Sequence, residues 1–306
     1  MKLRLATRTS PLALWQAEAA KRALEAAWKD ADCELVEVTS SGDVDLTSPL
    51  SEFGRIGIFT VEVDRVVIAQ DAEVAVHSCK DMTTELDTGT MLSATLLRGP
   101  VEDAIVTAGG RASGPRFDEL PAGARVATSS ARRRAMLLAA RPDLVPVEIR
   151  GNVQTRLAKL ERGEADALLM ARAGLERLGL DDRMSDVLDT ERFLPATGQG
   201  IVALTVKHGD WAVHEKVQAA RDLESWDEAI CERAVLRELR GGCSAPVGVH
   251  ARVVESAISV RARVLKPDGT EAIEGSINGL RDAAESLGRT LGEQLVRDGA
   301  RELMRA

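Results

Sequence analysis

Tyrosine is absent from this 306-residue chain, and aromatic residues make up only 3% of it, with four Phe and four Trp. A core with so few rings must be built from Ala, Val, Leu and Ile. A surface that binds bases by stacking them on interleaved aromatics is not available. No run approaches 18 consecutive apolar residues, so no membrane-spanning helix is expected. The apolar cluster Pro11 to Trp15 is too short for a signal-peptide core, and the chain reads as cytoplasmic. Cysteine is scarce: Cys33, Cys79, Cys231 and Cys243. None forms a Cys-x-x-Cys pair, and no His stands near one at ligand spacing, so no metal site is expected. In a cytoplasmic chain these are most simply free thiols. The Gly-x-x-x-x-Gly-Lys-Ser/Thr and Gly-x-Gly-x-x-Gly phosphate loops are also missing.

What is present is ordinary globular material, 44% hydrophobic and 29% charged. That excludes a disordered or collagen-like chain. The length fits about two domains of ~150 residues, or three smaller ones. Lys plus Arg is 40 and Asp plus Glu is 48, a net charge of −8. The acidic balance opposes binding to a nucleic-acid polymer.

Strands and helices alternate through the first two thirds. Leu3–Thr7 reads as a strand. Ser10-Pro11, a capping residue followed by a first-position proline, opens a helix to about Trp28. Further strands are expected at Cys33–Thr39, Glu73–His77, Leu92–Leu97, Ala104–Thr107, Arg125–Thr128, Val145–Arg150 and Ala167–Ala171. Helices are expected at Thr60–Ala69, Ser130–Arg141, Val153–Arg162 and the stretch to Leu178. Gly99-Pro100 reads as a chain reversal, and Gly109 to Gly114 as a loop tip. This alternation implies an α/β fold with mostly parallel sheets. A weak internal echo links Arg4-Leu5-Ala6-Thr7 to Arg125-Val126-Ala127-Thr128, and Glu73-Val74-Ala75 to Ala165-Asp166-Ala167.

After about Ala219 the character changes. A helical run, Asp227–Leu239, precedes three strands in sequence, Val247–Val254, Ile258–Leu265 and Glu271–Gly279. Pro267-Asp268-Gly269 marks a turn between the last two. Arg281–Arg305 reads as a closing helix. This is the pattern of a small α+β domain with an antiparallel sheet.

The informative feature is where the positive charge sits. Helix N-termini favour acids. Yet the helix after Thr128-Ser129-Ser130 begins Ala131-Arg132-Arg133-Arg134. Arg8 lies between the first strand and Ser10. Arg150 ends a strand before Gly151-Asn152, and Arg156 follows one turn later. Lys80 and Asp81 follow the strand ending at His77-Ser78. The carboxyl ends of strands form the ligand crevice in open α/β sheets, so these groups are expected to face one crevice. An anion bound there would turn the unfavourable charges into favourable ones. Arg binds carboxylate through two parallel hydrogen bonds, and without a phosphate loop the reading is a poly-carboxylate ligand. Asp81 beside Lys80 is either a functional acid or a turn residue. Cys243, in Gly241-Gly242-Cys243-Ser244-Ala245-Pro246, is either an exposed reactive thiol or a buried one.

These segments together resemble the porphobilinogen deaminase (hydroxymethylbilane synthase) family over essentially the whole chain. The specific pieces are Arg8 to Gln16, Val76-His77-Ser78 with Lys80-Asp81, and Thr128-Ser129-Ser130 with Arg132-Arg133. Others are Arg150-Gly151-Asn152-Val153 with Thr155-Arg156-Leu157, Leu194-Pro195-Ala196 with Gly198-Gln199-Gly200, and Gly241-Gly242-Cys243. The resemblance implies a cytoplasmic, monomeric transferase of porphyrin, heme and tetrapyrrole biosynthesis. Such an enzyme joins four porphobilinogen molecules head to tail with loss of ammonia, then releases hydroxymethylbilane by hydrolysis. It implies a dipyrromethane cofactor joined by a thioether to Cys243, with Asp81 as the catalytic carboxylate. By the same resemblance Arg8, Arg132, Arg133, Arg150, Arg156 and Arg177 bind acetate and propionate groups. Ser10, Lys80, Ser129, Ser130, Gly151, Asn152, Gly198 and Gln199 fall in the same cofactor- and substrate-contacting set.

The implied fold is two periplasmic-binding-protein-like α/β domains joined by a hinge, plus a small C-terminal α+β domain with a three-stranded antiparallel sheet. The implied boundaries are residues 1–97 with 197–217, residues 98–196, and residues 218–306, the last carrying the cofactor cysteine. One region departs from the family. Its loop Gly-Gly-Lys-Gly-x-Phe-x-Lys-Glu is here Gly54-Arg55-Ile56-Gly57-Ile58-Phe59-Thr60-Val61-Glu62. Both lysine positions are apolar, while Arg55 adds a charge and Phe59 is kept. Thr83 also replaces a common proline. Two other readings compete: a small-anion binding protein without chemistry, and a nucleic-acid binder using Arg132-Arg133-Arg134. The first leaves the Cys243 loop without a purpose, and net charge opposes the second.

Overall fold

Ser10 and Pro11 start the first helix as their chemistry dictates. In the computed structural model, which describes residues 2–39, 60–242 and 245–305, the Ser10 hydroxyl accepts from Ala13 N and Pro11 takes the first helical position. Strand β1 (Lys2–Arg8) leads into helix α1 (Pro11–Ala27), then β2 (Asp32–Val38), α2 (Val61–Ile68), β3 (Val74–Ser78) and β4 (Thr90–Thr95). The chain then runs through β5 (Asp103–Val106), β6 (Arg125–Ala127), α3 (Ala131–Ala140), β7 (Val145–Val147) and α4 (Val153–Glu161). It continues with β8 (Ala167–Ala171), α5 (Arg172–Arg177), β9 (Met184–Val187), β10 (Val202–Lys207) and α6 (Trp211–Gln218).

Two five-stranded sheets result, ordered β2-β1-β3-β10-β4 and β7-β6-β8-β5-β9. They are mixed rather than mostly parallel. In each sheet one strand from a distant part of the chain is inserted antiparallel: β10 between β3 and β4, and β5 between β8 and β9. Gly99-Pro100 is accordingly no reversal. It lies where the chain leaves the first sheet at β4 and enters the second at β5. The chain returns between β9 and β10, so two segments cross between two lobes.

The internal echo is structural. β1 and β6 hold the same place in their sheets. Arg4 N donates to Glu73 Oε2 at 2.6 Å, and its Nη2 reaches Gln70 O at 2.9 Å. Arg125 repeats this, with N to Asp166 Oδ2 at 2.7 Å and Nη2 to Gly163 O at 2.9 Å.

Other local expectations shift for physical reasons. β7 stops at Val147 because its one partner, β6, is itself three residues long. Gly109–Gly114 is not a plain loop but one helical turn, with Gly114 N donating to Gly110 O at 2.9 Å. The closing segment is broken. Helix α8 (Ala284–Arg297) ends before Gly299, whose φ of +92° stops the ladder, and a last turn spans Ala300–Leu303.

The C-terminal unit pairs helix α7 (Leu223–Leu239) and α8 with an antiparallel sheet of β11 (Val247–Val254), β12 (Ala257–Leu265) and β13 (Ala272–Leu280). The cores are mainly aliphatic, as the composition requires, with one buried ring pair, Phe117 and Phe193 at 5.2 Å, in the second lobe. Leu3, Leu5, Leu24, Val74 and Leu204 fill the first lobe, and Ile105, Val126, Leu137 and Leu169 the second. Val235, Val249, Val260 and Leu291 fill the third unit. Arg98, on the outgoing crossing, fastens that unit to the lobes. Its Nη1 donates to Glu232 at 2.7 Å and Glu228 at 3.1 Å, both on α7. No helix among the described residues is long and apolar enough to cross a membrane.

Candidate active site

Three helices begin just past strand ends, after β1, β6 and β7, and each begins on a side-chain cap. Ser10 caps α1, Ser130 caps α3 by accepting from Arg133 N, and Asn152 caps α4 by accepting from Thr155 N at 2.9 Å. None of the three has an acid in its first turn. Partial positive charge is therefore left at these helix starts. Buried Gln16 on α1 donates to Ser78 Oγ at 2.7 Å, which ties that helix to the end of β3.

β3 runs directly into a tight turn, Cys79–Asp81, carrying Lys80 and Asp81. Lys80 Nζ donates to Gln199 Oε1 at 3.3 Å. The same oxygen accepts from Arg133 Nη2 at 3.4 Å. Gln199 lies on the returning crossing and is wholly buried. It therefore joins a first-lobe cation to a second-lobe cation. Its own amide donates to Val101 O at 2.7 Å and to Asp103 Oδ1 at 2.9 Å.

Asp103 is one residue the sequence does not single out. It is fully buried at the start of β5 and lies 2.8 Å from both Arg132 Nη2 and Arg133 Nη2. The two arginines hold its carboxyl far below the usual range against the opposing effect of burial. Nothing in Val101-Glu102-Asp103 distinguishes this acid from a surface one. Its partners stand some thirty residues on.

On the other wall, Arg156 Nε donates to Gly151 O at 2.8 Å and Nη2 to Ser129 Oγ at 3.4 Å. Gly151 has φ of +110°, a backbone conformation that favours glycine there. Burial and then Arg133 pull Arg156 down to about 10, while Asp81 opposes the shift. Lys80 is pulled down to about 8 by burial and then Arg133, and Asp81 again opposes. Lys80, Asp81, Arg133 and Arg156 thus share one electrostatic environment in which positive charge is in excess.

The remaining expected residues are placed as follows. Arg132 is buried, with Nη1 donating to Leu194 O at 2.7 Å. Arg177, at the end of α5, donates from Nη2 to Gly200 O at 2.5 Å. Arg8 ends β1 half-buried, and Arg150 is buried beyond β7. Gly198, with φ of +71°, donates its N–H to Glu232 Oε2 at 2.6 Å. Cys243, Arg55 and Phe59 lie outside the described residues, as does the lid position Ile56. Thr84 Oγ1, three residues past Asp81, donates to Gly241 O at 2.6 Å. Thr83, at the family's proline position, offers its carbonyl to Arg233 Nη2 at 2.8 Å. Cys33, Cys79 and Cys231 are buried free thiols, and burial pushes Cys231 up to about 12.

Chemically this arrangement suits a ligand that brings negative charge. A cluster of cations that depress one another is relieved when anions bind. The acids among these cations are Asp81 at the end of the turn, the buried Asp103 and Glu148.

Residues 3–215 match the family model described as porphobilinogen deaminase, dipyromethane cofactor binding domain. Residues 226–297 match the model described as porphobilinogen deaminase, C-terminal domain. Among solved structures, the chain is similar to a VFT2 domain of BvgS from Bordetella pertussis. That likeness is 17% identity over 72% of this chain and 86% of the other, with a TM-score of 0.44. An arginine-specific periplasmic binding protein from Salmonella typhimurium is 12% identical over 72% and 91%, with a TM-score of 0.42. The alkanesulfonate-binding protein SsuA from Xanthomonas axonopodis is 16% identical over 78% and 75%, with a TM-score of 0.39.

Proposed function

The chain belongs to the porphobilinogen deaminase family, and from that membership we propose how its residues divide the work. The family activity is a transferase reaction of tetrapyrrole biosynthesis. Porphobilinogen units are condensed with loss of ammonia, and hydroxymethylbilane is the product. The cofactor is a dipyrromethane.

The residues present fit such a group. Lys80, Arg132, Arg133, Arg150 and Arg156 outnumber the acids that offset them, Asp81, Asp103 and Glu148. A ligand carrying several carboxylates supplies the missing negative charge. Arg8, Arg133, Arg150, Arg156, Arg177 and Lys80 hold its acetate and propionate groups by charge-assisted hydrogen bonds. Ser10, Ser129, Ser130 and Asn152 set the helix ends that face it. Arg132 with Asp103, and Gly151, Gly198 and Gln199, keep these groups in place. Cys243 is the attachment point through a thioether, and Arg55 and Phe59 belong to the segment that corresponds in sequence to the family's lid loop. When bound, the dipyrromethane supplies the pyrrole position to which a new ring is joined.

Asp81 does the electrostatic work. Loss of ammonia from porphobilinogen leaves a positive azafulvene, and a fixed carboxylate beside it lowers the barrier. The same carboxylate accepts hydrogen bonds from pyrrole N–H groups and so orients the ring. The two lobes are residues 1–97 with 197–217 and residues 98–196. Residues 218–306 carry the cysteine, and the enzyme works as a cytoplasmic monomer.

The observation that carries this reading is the meeting of Lys80 and Arg133, from opposite lobes, on the Gln199 oxygen beside Asp81. Intact-protein mass spectrometry tests it. Chain purified from cells supplied with porphobilinogen should carry the mass of two linked pyrroles, and the Cys243→Ser variant should not. An unmodified wild-type chain would overturn the assignment.

A further inference from the structure

Arg177 is held by a contact the sequence reading did not foresee. Its guanidinium carbon stands 5.1 Å from the ring centroid of Trp15. Trp15 lies on α1 in the first lobe, and Arg177 ends α5 in the second. The contact therefore spans the junction between lobes. Arg177 Nη2 also donates to Gly200 O, which accepts Gly99 N at 3.0 Å as well. Both crossings are thus gathered at this point. The two helices are close-packed here: Leu12 Cδ2 lies 3.6 Å from where a Cβ on Gly174 would sit.

The geometry leaves Arg177 partly unspent. Its Nε and Nη1 have no hydrogen-bond partner among the described residues. Trp15 is 36% exposed, so part of it stays open to solvent while the guanidinium stands over its ring. A guanidinium seated on an aromatic face keeps its in-plane donors for other partners. One of its five N–H donors goes to Gly200 and four remain, so the second Nη2 N–H can still pair with Nε or Nη1 as the parallel fork that suits a carboxylate.

We propose that Trp15 is a positioning residue for Arg177. Its indole face fixes the guanidinium plane, so that the free donors meet a substrate carboxylate only when the lobes stand as they do here. The inference rests on the reading of Arg177 as a carboxylate-binding residue. It adds a reason for Trp15 in a chain with few aromatics: it serves a cation rather than a ring of the ligand.

The test is steady-state kinetics with porphobilinogen on the cofactor-bearing enzyme. Trp15→Leu, which keeps bulk and loses the π face, should raise KM about fivefold, the size of a partly desolvated cation–π contact. Its kcat should move much less. Trp15→Phe should recover most of the loss. Arg177→Ala should raise KM at least as far, and adding Trp15→Leu to it should change nothing more. Trp15 emission, read as wild type minus Trp15→Phe, should shift on adding porphobilinogen.

If Arg177→Ala leaves KM unchanged, the carboxylate reading of Arg177 falls and the inference with it. If Arg177→Ala raises KM but Trp15→Leu does not, the inference alone is overturned. Equal losses from Trp15→Leu and Trp15→Phe would overturn it too. A lower melting temperature with unchanged KM would leave Trp15 as a packing residue. If Trp15→Leu does not fold, the Trp15→Phe difference emission decides: a signal unmoved by porphobilinogen overturns the inference.

Discussion

Asp103 holds Arg133 through a single oxygen, Oδ1 accepting from Nε at 3.1 Å and from Nη2 at 2.8 Å, with both groups buried. The pair sets one wall of the crevice, because Arg133 goes on to touch Gln199. Asp103→Asn leaves Arg132 and Arg133 as buried charges without a counter-ion. Breaking such a pair costs about 3–5 kcal/mol, measurable by denaturant unfolding. The sign with pH follows from the depressed carboxyl. The wild-type advantage is complete above the ordinary Asp value of about 4 and fades only as pH falls below it toward the depressed value. A difference that instead changed between pH 6 and 8 would point to another group.

Lys80 carries the pH dependence of binding. Burial and Arg133 bring it down to about 8, so it sheds its proton as pH rises through that value. Its charge, and with it the attraction for a carboxylate, is present below and lost above. KM for porphobilinogen should therefore climb above pH 8. Lys80→Arg should flatten the profile, because guanidinium stays charged over this range. A wild-type KM that stays flat from pH 7 to 9 counts against the assignment.

Asp81 opposes the lowering of both Lys80 and Arg156. Asp81→Asn should abolish turnover while circular dichroism and melting stay close to wild type. It should also move the pH break of binding below 8, because Lys80 loses the larger of the two acidic contributions that support its charge, Asp81 ahead of Asp103. Binding of porphobilinogen to the variant, followed by calorimetry, reads that shift directly.

How much of this was legible in the sequence depends on distance along the chain. Ser10-Pro11, Ser130 and Asn152 announce helix starts because a cap acts on residues three positions away. β8 and β11 were found at their true limits because their apolar patterns are local. β9 and β10 were not, since Met184–Val187 and Val202–Lys207 become strands by pairing with partners far away in sequence. The antiparallel insertion of β5 and β10 is invisible for the same reason. In the site, the cations at strand ends were readable as local violations of helix electrostatics. Asp103, Trp15 and Thr84 were not, because each acquires its role from a residue thirty or more positions away. The Arg4–Glu73 and Arg125–Asp166 pairs lie between: a four-residue echo hinted at a shared plan that only the sheet order makes plain.

Thr84 ties the turn that bears Asp81 to the loop that bears Cys243, through its 2.6 Å hydrogen bond to Gly241 O. Thr84→Val is nearly isosteric and removes only the donor. It should cost about 1 kcal/mol of stability and slow acquisition of the cofactor, followed as the growth of the modified mass in chain incubated with porphobilinogen. Thr84→Ser should restore the rate. Equal rates for all three proteins would show that this bond does not place the loop.

Gly198 is the backbone counterpart of that tie. A Cβ built there would stand 2.5 Å from Cys79 Sγ and 2.8 Å from Cys79 Cβ, and its φ is +71°. Glu232 Oε2 grips the Gly198 N–H at 2.6 Å, so the glycine cannot retreat. Cys79 must move instead, yet its N–H is bonded to Ile201 O at 3.0 Å, and it opens the turn carrying Lys80 and Asp81. Gly198→Ala should therefore destabilise by about 1–3 kcal/mol from overpacking, with roughly 1 kcal/mol more from the left-handed backbone. It should lower kcat more than KM rises, because the displaced residue adjoins the turn that aims the catalytic carboxylate. The double variant Gly198→Ala/Cys79→Gly removes the clash and keeps the backbone strain. If the clash is what matters, it recovers a large part of kcat. A double variant no more active than Gly198→Ala would place the damage in the crossing itself rather than in the turn.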